Sequence, residues 1–246
     1  MTGTKVIKLK LEEGSGEKLP ALKDPVVEGA AALYRSMEMF PKYDYGDQPE
    51  ERYQELLGMS VGLNVTPVQV QRIIERLEQD HSEEEYYADK AGLLLTALVQ
   101  GSKSNEFEFT AKKKLNYLGF MLEEGKTVKV NGDLGERIGR KMRGGSIDVS
   151  GSVGDEAGWE MRGGEITIGK DAGDWTGFEM HDGRIHVKGN TDGYAGSGMY
   201  DGEIQVDGNA GRKTAEGKRG GVLDIKGDVA SWGDKIGREI SPGIFD

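Results

Sequence analysis

Three histidines are present, His81, His181 and His186, and the last two stand five apart with Asp182 between them. Two imidazoles and a carboxylate at that spacing could share a metal ion, but this stretch supplies no clear further ligand for a tetrahedral site. His181, His186 and Asp182 are therefore read first as solvated surface residues and only second as metal ligands. The absence of cysteine removes disulfides, thiolate zinc sites, cysteine-held iron–sulfur clusters and a cysteine nucleophile. Ser197, in "GSG", lies inside a glycine corner, whereas a serine hydrolase places its nucleophile on a strand-to-helix turn. Two glycine-rich stretches, "GDLGERIGRK" and "GNAGRKTAEGKRGG", could offer backbone N–H groups to phosphate, with Arg212, Lys213, Lys218 and Arg219 supplying charge in the second. A dinucleotide fingerprint should open a βαβ unit, and none follows. The expectation is no catalytic set and no cofactor site in this chain.

The elements that must position these residues are announced by a repeat. From Val128 the aliphatic positions Val128, Ile147, Ile166, Ile185, Ile204 and Leu223 recur every 19 residues, and two places later stand Val130, Val149, Ile168, Val187, Val206 and Ile225. Polar residues separate each pair: Lys129, Asp148, Thr167, His186, Gln205 and Asp224. Apolar-polar-apolar alternation puts both aliphatics on one sheet face, and β-branched residues suit that half-buried surface. Glycines keep the same step before the strands, at Gly145, Gly164, Gly183, Gly202 and Gly221, as do Met142, Met161, Met180 and Met199. A single short strand cannot bury its own apolar face, so successive units must stack. The predicted fold is a right-handed, single-stranded parallel β-helix of about six to seven coils occupying residues 105–246. Residues 105–125 read either as a degenerate first coil, Gly119 and Met121 echoing Gly139 and Met142, or as a helix over Thr110 to Leu122.

Residues 1–104 differ in kind. The first 100 residues hold only 8 of the 39 glycines, which places a boundary near residue 101. "KVIKLKL" alternates like an edge strand. Helix starts follow at Asp24-Pro25, at Asp47 with Glu50, at Thr66-Pro67 and at Ser82 with Glu85, predicting a small acidic domain of four helices that caps the β-helix or recruits a partner. In the third, Val70, Ile73, Ile74 and Leu77 share one face. A helix-turn-helix reading fails on charge, because residues 1–100 carry 11 Lys+Arg against 18 Asp+Glu. A net charge of -11 likewise opposes nucleic acid and anionic membrane. No apolar run reaches the roughly 20 residues of a membrane span, and the start lacks the apolar centre of a secretory signal, so a cytoplasmic location is expected.

The tandem phrase Gly-aromatic-x-Met-x-Gly-Gly-x-Ile-x-Val-x-Gly, in "VGDEAGWEMRGGEITIGKDAGDWTGFEMHDGRIHVKGN" and its neighbour "TDGYAGSGMYDGEIQVDGNAG", resembles the GXGXG-type β-helix family. The resemblance spans about Val128 to Ile236 and is nearest to the β-helical subunit of formylmethanofuran dehydrogenase and its equivalent in the related formyltransferase/hydrolase complex. More distantly it extends to the C-terminal domain of the glutamate synthase large subunit. It implies a non-catalytic scaffold whose partners are protein subunits of an enzyme complex, or further copies of itself. A molybdenum or tungsten pterin, or iron–sulfur clusters, would then reside on a partner. The helical residues 24–100 have no counterpart in the formylmethanofuran dehydrogenase protein. Trp159, Phe178 and Tyr194 recur along one wall and are read as corner packing or as anchors for a protein partner, with Trp175 and Trp232 outside their register. The alternative of another class is a small-molecule-binding or hydrolytic enzyme with its site between the helices and the β-helix.

Overall fold

A computed structural model describes residues 24–37, 49–60 and 62–233. Four helices, α1 (Pro25–Ser36), α2 (Pro49–Ser60), α3 (Pro67–His81) and α4 (Tyr87–Gly101), precede seven strands. These are β1 (Glu106–Thr110), β2 (Thr127–Asn131), β3 (Arg143–Val149), β4 (Arg162–Ile168), β5 (Asp182–Val187), β6 (Glu203–Val206) and β7 (Val222–Ile225). Each strand pairs in parallel with the next in chain order, and the sheet winds into a β-solenoid of about six turns.

From β2 onward the inward aliphatics stack at the 19-residue step, with register shifts only at the starts of β3 and β4. Val128 lies opposite Ile147, then Ile166, Ile185, Ile204 and Leu223 in turn. Their side chains are buried as far as β6 and only half-buried in β7. The four methionines fill the same interior.

β1 decides the nature of residues 105–125. Phe107 pairs with Val128 and Phe109 with Val130, so the segment is a first coil, and no helix spans Thr110 to Leu122. Gly119 does match Gly139, but the place of Met142 is taken by Leu122: each donates its N–H to the glycine carbonyl three residues back. Met121 instead corresponds to Lys141, because the first coil steps by 21 residues at the strand and the register drifts within it.

The helices begin where short polar side chains can take up free N–H groups. The Asp24 carboxylate accepts from the Val26 N–H at 2.9 Å, and Thr66 forms a reciprocal capping box with Gln69. The expected box at Ser82 and Glu85 does not form. Ser82 closes α3 with its hydroxyl donating to the Glu83 carboxylate, Glu85 accepts from the Tyr86 hydroxyl, and α4 starts at Tyr87 with no side-chain cap. Asp47 and the strand-like "KVIKLKL" lie outside the described residues, while Glu50 in α2 faces Lys141 of the solenoid.

Val70, Ile73, Ile74 and Leu77 of α3 are buried as their spacing requires. Ala91 to Val99 of α4 is buried on every side, which marks a helix enclosed between other layers. It lies between the outer helices and the first coil, and one apolar core runs from Val27 through Leu95 to Val206.

Candidate functional site

Each coil turns one corner by alternating backbone handedness. Arg137, Gly139 and Lys141 have φ of 63°, 65° and 55°, and Glu156, Gly158 and Glu160 repeat this at 64°, 68° and 52°. Trp175, Gly177 and Glu179 follow, then Tyr194, Gly196 and Gly198. Inside the stack the central residue is glycine, because a methyl group there would overlap the Cδ1 of an isoleucine, Ile166 above Gly139 and Ile185 above Gly158. The flanking residues point outward and build a wall.

Three of the wall's aromatics are the residues singled out as partner anchors, and all are half-buried. Trp159 packs on Phe178 at 4.6 Å between ring centroids, within one column of the repeat. Tyr194 belongs to the adjacent column, stacked on Trp175 at 4.0 Å and 8°. Trp175 also meets Phe178 edge-on at 5.0 Å and so joins the columns. Trp175, expected outside this row, is its centre, for the simple reason that it precedes Tyr194 by one repeat. Trp232, 51% exposed, stands apart on the last coil.

Charge extends the wall in both directions. Arg140 lies 5.2 Å from the Trp159 ring, and Arg212 and Lys213 flank Tyr194. Arg137 pairs with Glu156 at 2.9 Å and Glu136 at 3.0 Å. Burial works against the Arg137 charge, but Tyr117, Glu156 and Glu136 more than offset it and its pKa is raised. Lys141 pairs with Glu50 of α2, which ties the wall to the helices. Burial of Glu50 would raise its pKa, yet the bond from Lys141, its own backbone N–H and the charges of Lys141 and Arg140 together outweigh it and the pKa is lowered.

The two histidines of the repeat take different partners. His181 stacks on Tyr200 at 4.6 Å and 5°, with Arg219 at 4.3 Å from the same ring. The Asp182 carboxylate accepts from the adjacent Gly183 N–H. His186 Nε2 lies 2.9 Å from Asp207, which also accepts from Lys226 at 2.6 Å and from Gln205 at 2.9 Å. Those contacts, led by Lys226, hold the Asp207 carboxyl well below the usual carboxylate range. No group of three His, Cys, Asp or Glu side chains converges as a metal site among the described residues.

Ser197 is buried and donates to the Lys213 carbonyl at 3.2 Å. In the glycine-rich basic stretches Lys213 is paired with Glu216 and Lys218 donates to the Gly221 carbonyl. A shallow groove of about 610 Å³ runs beside the strands over the glycine floor Gly145, Gly164, Gly183 and Gly202, with Glu165, Arg184 and Glu203 along it. Arg184 is already bonded to Glu203 at 2.9 Å.

The arrangement that sequence reasoning missed is the seam between helices and solenoid. Within the stack, an amide facing backwards finds a carbonyl of the preceding coil, as Gly139 N–H finds Leu118 and Gly158 N–H finds Ile138. The first coil has no predecessor among the described residues, and the helices supply the acceptors instead. Gly119 N–H donates to the Thr96 hydroxyl at 2.9 Å, Thr110 N–H to Gln71 at 2.8 Å, Lys112 N–H to Glu78 at 2.7 Å and Glu123 N–H to Gln100 at 3.1 Å. Asn116 N–H donates to the Ala88 carbonyl at 3.0 Å. Buried Lys126 crosses the seam the other way, donating to the Ser102 and Ser104 carbonyls after α4. One legible signal existed: Thr96 is the sole polar side chain in the apolar run "AGLLLTALV". The polar hub at Glu84, which gathers Tyr34, His81 and Lys90, carries no such signal because its members are dispersed in sequence.

No helix among the described residues is long and apolar enough to cross a membrane. No protein-family model matches the chain, and no curated protein matches it either.

Proposed function

We infer that this chain is a non-catalytic structural subunit that supports the other subunits of a multi-subunit enzyme in the cytoplasm, on the pattern of the β-helical component of formylmethanofuran dehydrogenase. One observation carries this reading: every fixed glycine, methionine and aliphatic of the repeated phrase is spent on stacking. The glycine at the centre of each corner clears an isoleucine, the methionine and aliphatics fill the interior, and the paired glycines let backbones approach. The outward positions, Trp159, Phe178 and Tyr194 among them, lie on the outer wall and are the surface a partner would meet.

On this reading the chain holds no cofactor, and a molybdenum or tungsten pterin or iron–sulfur cluster belongs to a partner. The test is isolation of the native assembly through a tag on this chain, with metal analysis and formyl-group oxidoreductase assay. The expected result is fixed-stoichiometry recovery of catalytic subunits with their metal. Amidotransferase or synthase subunits in their place would move the assignment to the glutamate-synthase type. A lone chain that is itself catalytically active overturns it.

A further inference from the structure

Among the described residues, the far end of the solenoid has none of the acceptors that close the near end. Val222 N–H donates to the Gly202 carbonyl and Lys226 N–H to the Val206 carbonyl, so these residues turn their main chain back toward β6. Alternation along a strand then directs the N–H and C=O groups of Leu223 and Ile225 outward, away from the stack. Their side chains are only half-buried, unlike the inward pairs of the six strands beneath. Of the five large apolar side chains exposed among the described residues, Tyr200, Val222 and Trp232 belong to the last two coils. An edge of this kind is a template for another strand.

The sequence of β7 and its flank is self-complementary. An antiparallel pairing of two copies about a two-fold axis at Ile225 sets Ile225 against Ile225, and the outward main-chain groups of each can exchange both hydrogen bonds. The same register sets Asp224 of one copy against Lys226 of the other, twice, on the outer face. Opposite charges directly across a strand pair favour the pairing. Asp224 has no side-chain partner among the described residues, while its neighbours at this end of the face, His186, Gln205 and Lys226, have theirs. The helices occupy the opposite end, so this association closes at two copies and builds no filament.

We propose that the β7 end is the interface with a second copy of this chain, the two solenoids meeting head to head with β7 paired antiparallel about Ile225. It stands whichever partner the outer wall carries. The experiment is light scattering and hydrogen exchange on the full chain, its D224K and K226E variants, and an equimolar mixture of the two. The native chain is expected at twice 26.8 kDa. Each variant, which places like charges across the axis, is expected as a folded monomer with at least tenfold weaker self-association and faster exchange at Leu223 and Ile225. The mixture restores the opposite-charge pairs and the dimer. A native monomer overturns the proposal, and slow exchange at Leu223 and Ile225 in that monomer would assign the edge to the chain's own residues. A dimer indifferent to D224K, or a mixture that stays monomeric, overturns it equally.

Discussion

The two ends of the solenoid are made of the same repeat and are finished differently. At the near end the amides of Thr110, Lys112, Asn116, Gly119 and Glu123 are received by side chains and a carbonyl of α3 and α4. At the far end the strand stops with Leu223 and Ile225 half-buried and their main chain directed outward. A stacked repeat carries its interior alone, but its terminal rungs need groups from outside the repeat. The helical segment is thus best understood as a substitute coil, matched donor by acceptor to the first rung.

The strongest way to break the near end is to separate helix from coil. Gly92 of α4 lies directly against the Asn116 carbonyl, and a methyl group there would overlap a backbone oxygen that cannot yield without shifting the coil. Gly92→Ala is expected to cost about 3 kcal/mol through this overpacking, read as a fall in the midpoint of urea unfolding. An unchanged midpoint would mean that the seam is looser than its geometry. The next effect is chemical. Thr96→Val keeps the shape and deletes the acceptor, leaving the Gly119 N–H buried and unpaired at a cost of about 2 kcal/mol. Thr96→Ser should recover most of that loss, and failure to recover would assign the effect to packing.

How much of this difference could be read in advance depends on where the information lies. The register of Val128 to Leu223 was legible because a stack repeats one environment, so each position asks the same question six times. Thr66 and Asp24 were legible because caps are local. Ser82 misled because its hydroxyl and the Glu85 carboxylate bond to their neighbours Glu83 and Tyr86 and not to the main chain of a helix start. The first coil stayed ambiguous because Phe107 and Phe109 precede Val128 and Val130 by 21 residues, which hides them from a 19-residue search. Of the candidate site residues, Trp159 and Phe178 fell on one column as their spacing requires, whereas the role of Trp175 needed the second, adjacent column.

A sharper comparison sets a glycine inside the stack against its equivalent at the far end. Gly158 has φ of 68° and an isoleucine Cδ1 where its methyl would be, while Ala215, the same rung three coils later, has φ of 59°. Gly158→Ala is expected to destabilise by about 2 kcal/mol, from left-handed backbone strain and displacement of Ile185. Ala215→Gly relieves strain and displaces nothing, so it should stabilise by no more than about 1 kcal/mol. Equal and opposite effects at the two sites would show that backbone strain alone chooses glycine, with no contribution from the isoleucine stack.

The smallest effect sits on the outer face next to the far end. Asp207 is held ionised chiefly by Lys226, then by Gln205 and His186, so its carboxyl loses its proton more readily folded than unfolded. A depressed folded pKa contributes stability that is present above the unfolded value, roughly 4 for a carboxylate, and is lost as pH falls through the lower folded value. Asp207→Asn should therefore lower the melting temperature slightly at neutral pH, and the difference from the native chain should shrink as pH drops below about 4. Added salt should shrink it as well, because the cluster is open to solvent and its charges are screened. A difference that persists unchanged into acid and salt would make Asp207 a packing residue, and the last two coils would then owe their cohesion to shape where this arrangement assigns a share to charge.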